Sequence, residues 1–347
     1  MASRRPTLVV TMGDPAGIGP EIVARAVASP ALRKVARLAV VGSADVMARA
    51  AKRVRPSPRF RVISPSGVDL TRDAPGIALV DTGGEGWDAI RPGIGTAASG
   101  RMAAQAIEAA ARLTMAGQAD GIVTAPISKT ALQAAGYPYP GHTEFLGALA
   151  RVPETRMLFV GRELRILLAT VHLPLKSVSD ALTVDSLLRT IQFGAAALRN
   201  FRWGERRVVA VLGLNPHAGE GGLFGDEEGR VILPAIERAR AEGIHAEGPY
   251  PADTFFAQHG GRRDLGVIVA MYHDQGLIPA KSEGIGAAAN VTLGLPFVRS
   301  SVDHGTAFDR AWKGGASAPN PAGLVTAIRA GANLALRGVR PLRWVWP

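Results

Sequence analysis

Three of the seven histidines, His172, His217 and His273, each lie just beyond a short apolar run, in LLATVHLPL, VLGLNPHAGEGG and VIVAMYHDQG. Open α/β sheets collect ligands outside the carboxyl ends of their strands, so three imidazoles at equivalent strand ends could share one divalent cation. A lone histidine is more often a satisfied structural group than a ligand. The chain contains no cysteine, which excludes disulfides, thiolate zinc sites, iron–sulfur ligation and a cysteine nucleophile. Imidazole and carboxylate are then the donors left for a tight metal site. Three histidines and an open fourth position suit zinc and other divalent metals. A metal-dependent hydrolase would use the same arrangement to activate water. His245 and His259 read as surface residues, and His142 and His304 sit in glycine-flanked loops.

Polar groups suited to an anionic substrate lie in nearby stretches of the sequence. PGHTEFL carries His142 and Thr143, and the threonine is equally readable as a helix N-cap. Lys281 is one of only six lysines and follows His273 by eight residues, while Asn290 and Arg299 flank the apolar NVTLGLPF. An arginine fork and a lysine point charge can together clamp a phosphate; either alone is commonly a surface charge. In GDPAGIGPEIV, Gly13, Gly17 and Gly19 permit close backbone approach, and Pro20 and Glu21 suit the first turn of a helix. Such a loop can face an anion, and a tight structural turn explains the spacing equally well. A literal G-x-G-x-x-A at Gly284, Gly286 and Ala289 opens no helix, so it fails as a dinucleotide fingerprint.

The elements that must hold these groups alternate. Apolar runs at Thr7–Met12, Leu38–Val41, Gly121–Thr124, Met157–Val160, Leu164–Thr170, Arg207–Leu214, Gly266–Met271 and Val291–Leu293 read as buried strands. Helical patterns fall at Pro20–Ala28, Ala44–Arg53, Thr96–Ala116, Lys129–Ala135, Thr183–Phe201, Gly229–Glu242 and Asn320–Leu336. This order predicts βαβ units and an α/β fold with parallel or mixed sheets covered on both faces. With 347 residues, two domains are expected.

Composition narrows the partners. Lys plus Arg total 40 against Asp plus Glu 29, a net charge of +11, which invites a nucleic-acid reading. The basic residues are scattered without a run of like charge, and aromatics at 5% are too few for a stacking platform. No apolar segment approaches the length of a spanning helix, and the first residues do not form a signal peptide. No nucleic acid, no membrane and a cytoplasmic location are expected.

Taken together, GDPAGIGPE, TAPISK, PGHTEFL, LNPHAGEGGLFG, GPYPADTFF, YHDQGLIPAK and NVTLGLPFVRSSVDHGTAFD resemble the 4-hydroxythreonine-4-phosphate dehydrogenase family of vitamin B6 biosynthesis, in order from residue 13 to 309. YHDQG and SVDHGTA are highly specific; GIGPE also occurs in isocitrate and isopropylmalate dehydrogenases. The resemblance implies two α/β/α domains with mixed sheets, isocitrate/isopropylmalate dehydrogenase-like, with the active site in the interdomain cleft. The larger domain would comprise residues 1–135 and 301–347; residues 136–300 would carry most metal and substrate groups and the dimer interface. It implies oxidation of 4-phosphohydroxy-L-threonine with NAD or NADP, to a 3-oxo acid that loses carbon dioxide. A homodimer would share the metal and substrate site between subunits.

By the same resemblance, one divalent ion per site (zinc, magnesium or cobalt) would be held by His172, His217 and His273. His142, Thr143, Lys281, Asn290 and Arg299 would bind substrate. Lys281 or Asp274 would take the proton. His304, Gly305, Thr306, Ala307 and Asp309, with Asn320, would bind the coenzyme. The chain departs from the pattern at Trp312, where glycine is usual, and at Ala287-Ala288, where relatives often carry a larger group. A paralogous dehydrogenase for a phosphorylated sugar acid or an aromatic dihydrodiol dicarboxylate is the nearer alternative.

Overall fold

The computed structural model describes residues 5–70, 74–203, 206–259, 262–284, 286–315, 318–338 and 342–344. The chain divides into two compact units: residues 1–155 with 295–336, and residues 156–294 with 337–347.

The first unit holds β1 (Thr7–Thr11), β2 (Arg37–Gly42), β3 (Phe60–Ile63), β4 (Ile77–Asp81), β5 (Gly121–Thr124) and β12 (Val298–Ser301). They lie in the order β3-β4-β2-β1-β5-β12, every neighbouring pair parallel. Its helices are α1 (Gly19–Ala28), α2 (Pro30–Val35), α3 (Ala44–Lys52), α4 (Ala97–Met115), α5 (Lys129–Ala134), α6 (His142–Leu149) and α12 (Ala322–Arg337). Strand residues Val9, Ala39, Val41, Val80 and Ile122 pack with Ile107 and Ala110 of α4 and Phe145 and Leu146 of α6. On the other face of the strands, Gly331 of α12 lies against Leu8 and Val123. With both faces covered, the strands read as continuous apolar runs. The order reverses beside β1, and the loops leaving β1 and β5 meet at that switch point.

The second unit holds β6 (Arg156–Val160), β7 (Arg165–Leu168), β8 (Val208–Leu212), β9 (Ala246–Tyr250), β10 (Leu265–Ala270) and β11 (Ala289–Leu293). Their order is β11-β6-β7-β10-β8-β9; β6 is antiparallel to both its neighbours, and the rest are parallel. The helices are α7 (Val178–Ala181), α8 (Val184–Phe201), α9 (Leu233–Ala241), α10 (Ala252–His259) and α11 (His273–Ser282). Ile166, Leu168, Ala210, Leu212, Ile268 and Ala270 form one core with Phe255 of α10 and with Leu277 and Ala280 of α11. Leu167, Val209 and Val267, from the alternate positions, reach Gly194 of α8, as the period of two along a strand requires.

The division falls after α6 and before β12, rather than at 135/136 and 300/301. The reason is packing: α6 buries Phe145 and Leu146 in the first core, together with Leu295 and Phe297. His142, Thr143 and Arg299 therefore belong to the first unit. The C-terminal residues group with the second, where Arg343 and Asn200 exchange two hydrogen bonds and Trp344 stacks on Phe193.

Candidate active site

In the second unit β7, β10 and β8 are consecutive and parallel, with Leu168 level with Ala270. His172, His273 and His217 therefore leave the same edge of three adjacent strands, as their spacing suggests. The rings of His172 and His273 lie 5.8 Å apart, centre to centre. Two imidazoles that share one ion at about 2.1 Å from each nitrogen hold their ring centres roughly 5–6 Å apart, so this pair fits a divalent cation. His273 Nδ1 lies 2.6 Å from Asp274 Oδ1. With Nδ1 donating, the ring presents Nε2 for coordination, the carboxylate–histidine arrangement common around metals.

His217 is not gathered with them. Residues 217–221 run through five successive left-handed conformations, two of them at glycine. This run leaves the His217 side chain 61% exposed, 3.9 Å from Glu220 and with its ring 6.1 Å from that of Phe224. No group of three histidine or acidic side chains placed to hold a metal exists among the described residues. The triad expected from the sequence is thus a pair in the single chain. Lys281 is exposed in the last turn of α11, about two turns beyond His273. Asn290, on β11, has a buried Oδ1 without a hydrogen-bond partner among the described residues.

The first unit supplies buried charge. Arg299, on β12, is 3% exposed and donates to Thr124 Oγ1 at 2.6 Å, across the parallel pair of β12 and β5. Burial pulls its guanidinium down to about 10, opposed by Glu144, so it stays charged at neutral pH. His142 opens α6, so Thr143 is a residue of the helix and Gly141 is the cap. Burial, and then the charge of Arg299, push His142 well below the ordinary imidazole value. The ring is neutral near pH 7, and its buried Nε2 has no hydrogen-bond partner among the described residues. A neutral imidazole with an unsatisfied nitrogen beside a cation suits a polar, anionic ligand.

The GDPAGIGPE loop does more than turn. Gly13 has φ +76°, and a Cβ there would lie 2.5 Å from Pro126 O, so a glycine is required where the β1 and β5 loops meet. Asp14 is fully buried and accepts from Ala16 N and Ser99 Oγ. Burial outweighs these bonds and raises its carboxyl to about 6. Ile18 N donates to Thr306 O, and Gly17 leaves no room for a side chain against Thr306. The HGTAFD loop thus lies on the N-terminal end of α1, with the His304 ring against Gly323 of α12. Gly305 has open space where a side chain would point, Ala307 has φ +42°, and Asp309 is exposed. Asn320 Oδ1 accepts from Ala322 N and so caps α12.

Two structural roles were hidden in the sequence. Glu21 is buried, held by Arg53 Nε and by Trp312 N, so its carboxylate anchors the turn after the HGTAFD loop. Trp312, at φ +62°, also donates its indole N–H to Pro15 O and meets Trp87 edge-on at 4.5 Å. Trp312 therefore ties that turn to the β1 loop.

Parallel and mixed sheets covered by helices, with imidazole and charged groups at their strand ends, are the framework of α/β enzymes. Residues 34–330 match the model of the family described as pyridoxal phosphate biosynthetic protein PdxA, and the chain belongs to that family. It is 45% identical to a 4-hydroxythreonine-4-phosphate dehydrogenase of Geobacter metallireducens, across 92% of this chain and 93% of the relative. It is 40% identical to a D-threonate 4-phosphate dehydrogenase of Pectobacterium atrosepticum, across 94% and 99%. The crystal structure of a 4-hydroxythreonine-4-phosphate dehydrogenase from Klebsiella pneumoniae superposes with a TM-score of 0.86 at 38% identity, covering 97% of this chain and all of that one. Among the described residues no helix is long and apolar enough to cross a membrane.

Proposed function

We propose that this dehydrogenase oxidises the secondary alcohol of 4-phosphohydroxy-L-threonine with NAD or NADP, in a reaction that requires a divalent metal. The product is a 3-oxo acid that decarboxylates to 3-amino-2-oxopropyl phosphate. The observation that carries the reading is the His172–His273 pair, backed by Asp274, at the ends of neighbouring strands in a member of this family.

A divalent ion held by His172 and His273 would supply Lewis acidity, and a bound nicotinamide would supply the hydride acceptor. The chain's own residues do the rest. Arg299 and Lys281 attract the anionic ends of the substrate, and the neutral His142 and Asn290 bond its polar groups. Asp274 orients His273, and either Asp274 or Lys281 receives the hydroxyl proton. The HGTAFD loop, seated on the N-terminal end of α1, holds the coenzyme. Family membership as an oxidoreductase removes the hydrolase reading.

The active form is a homodimer that shares its metal and substrate site, with the second unit at the interface. Leu173, Leu175, Leu223, Phe224 and Ile278 are each 46–73% exposed and sit on the same loops and helix as the three histidines. A second copy covering them would bury this apolar surface and bring His217 of one chain toward the pair of the other.

Relatives named for D-threonate 4-phosphate favour one second reading, oxidation of that phosphorylated sugar acid. It keeps the phosphate and secondary alcohol and replaces the amine by a hydroxyl. Steady-state rates of NADH or NADPH formation with each substrate, with and without chelator, decide. Turnover only of 4-phosphohydroxy-L-threonine, abolished by chelation, is expected. Preference for D-threonate 4-phosphate would install the second reading, and full activity in chelator would remove the metal.

A further inference from the structure

In the YHDQG stretch the histidine and aspartate have roles, and the glutamine does not. Gln275, in the first turn of α11, accepts a hydrogen bond from Met271 N at 2.6 Å and donates one to Gly213 O at 2.7 Å. The first partner lies in the turn between β10 and His273; the second lies just past β8, on the way to His217. Met271 O in turn accepts from the backbone N and the hydroxyl of Thr170, two residues before His172. One primary amide therefore stands at the junction of all three histidine-bearing loops.

The β8 side is clasped again one residue further on. Leu214 N and Asn215 N donate to Glu228 Oε1 at 2.7 and 2.8 Å, and Asn215 Nδ2 reaches Glu228 Oε2 and Glu227 Oε2. Ser179, in the segment that follows His172, donates to the other oxygen of Glu227 at 2.6 Å. Glu228 opens a π-helical turn, Glu228–Ile232; such turns are rare and concentrate at functional sites. Gln275 is the member of this network that reaches two strand ends by itself.

We propose that Gln275 is a positioning residue that sets the relative placement of the three strand-end loops, and hence of the imidazoles they carry. The chemistry is specific to a primary amide, because Met271 N–H needs an acceptor and Gly213 C=O needs a donor. Glutamate supplies an acceptor only and sets its charge against the Gly213 carbonyl. Leucine supplies neither function at similar size. The consequence for the imidazoles rests on the reading of His172 and His273 as metal ligands; the link between the loops does not.

The test uses the full-length protein and its Gln275→Glu and Gln275→Leu variants. Divalent affinity is measured by titrating metal-free protein with cobalt(II) and zinc(II) against a competing chelator. Backbone hydrogen exchange is followed in the metal-free state. Outer-shell changes around metal ligands typically weaken binding about 10–100-fold, and a loss in that range is expected for both variants. Exchange should quicken at Met271 and also across residues 213–219. Unchanged affinity, with faster exchange confined to Met271, would overturn the proposal. If a variant loses the circular-dichroism signature of the fold, Gln275→Asn, too short to span both partners, replaces it under the same two criteria. Should the wild type bind neither metal, the ligand reading fails. The exchange pattern then decides alone: spread to 213–219 supports Gln275, and confinement to Met271 sinks it.

Discussion

The two units place their functional groups at strand ends by opposite means. The first unit buries them: Asp14 and Arg299 lie among packed strands, and burial shifts the proton affinities of Asp14, His142 and Arg299. The second leaves them largely in the open, with Asp274 73% and His217 61% exposed, and fixes the surrounding backbone with Gln275, Glu227 and Glu228. Buried groups gain strength from the low local dielectric and are held by their surroundings. Exposed ligands need outer hydrogen bonds to hold them.

The sharpest break of this contrast is His273→Ala, which removes a proposed ligand outright. Metal-dependent turnover should fall by at least about a thousandfold, in keeping with loss of the ion's contribution of several kcal/mol. Metal analysis of the purified variant together with initial rates checks it, and full metal content with normal turnover would refute the site.

Next comes Arg299→Met in the first unit. Loss of a charge-assisted contact to an anionic substrate should lower kcat/KM about a hundredfold, near 3 kcal/mol, mainly through KM. Lys281→Met should cost about tenfold if Lys281 acts only as an exposed point charge; a loss beyond about a hundredfold would assign it the hydroxyl proton. Equal losses would erase the distinction between buried and exposed charge.

Asp14 tests burial by itself. Its carboxyl is raised from 3.8 to about 6, so the native state binds the proton more tightly than the unfolded chain. Stability is greatest below pH 3.8 as far as this group is concerned, and is lost as pH rises through 6. Asp14→Asn should therefore stabilise the protein at pH 7, by at most about 3 kcal/mol, and flatten the pH 4–6 region of denaturant midpoints. A variant with an unchanged pH slope would show that Asp14 is not the cause.

The smallest effect is expected at Asn320. As the cap of α12, its replacement by alanine should lower stability by about 1 kcal/mol, with KM for coenzyme nearly unchanged. A large rise in that KM at constant melting temperature would instead make Asn320 a coenzyme ligand.

Much of this was legible in the chain. The strand at 121–124 and the helix ends at Ala28 and Phe201 fall where the apolar periodicity places them. The histidines do stand beyond strand ends. Strands β3, β4, β9 and β12 were not legible; for β3 the reason is that the half-exposed FRVI gives no clean buried run. An N-cap at Thr143, one of the two readings of that residue, falls two residues past the observed cap at Gly141, which lacks the side-chain signature of serine or threonine. The roles of Glu21, Gln275 and Glu228 were illegible for another reason. Each bonds backbone groups more than ten residues away or in another loop, except for the link from Gln275 to Met271.

The sequence by itself determined what chemistry is available: imidazole and carboxylate without thiol, few lysines, and glycine where the β1 loop must approach the β5 loop. Those follow from residue type and local backbone preference, which act over a few residues. Only the tertiary structure decided which groups are gathered, buried or left exposed. Strand order makes His172 and His273 neighbours, a run of left-handed residues leaves His217 exposed and outside any three-ligand group among the described residues, and packing of α6 assigns His142 to the unit that holds Arg299. Neighbourhood and burial arise from long-range packing, and proton affinity and ligand geometry follow from them.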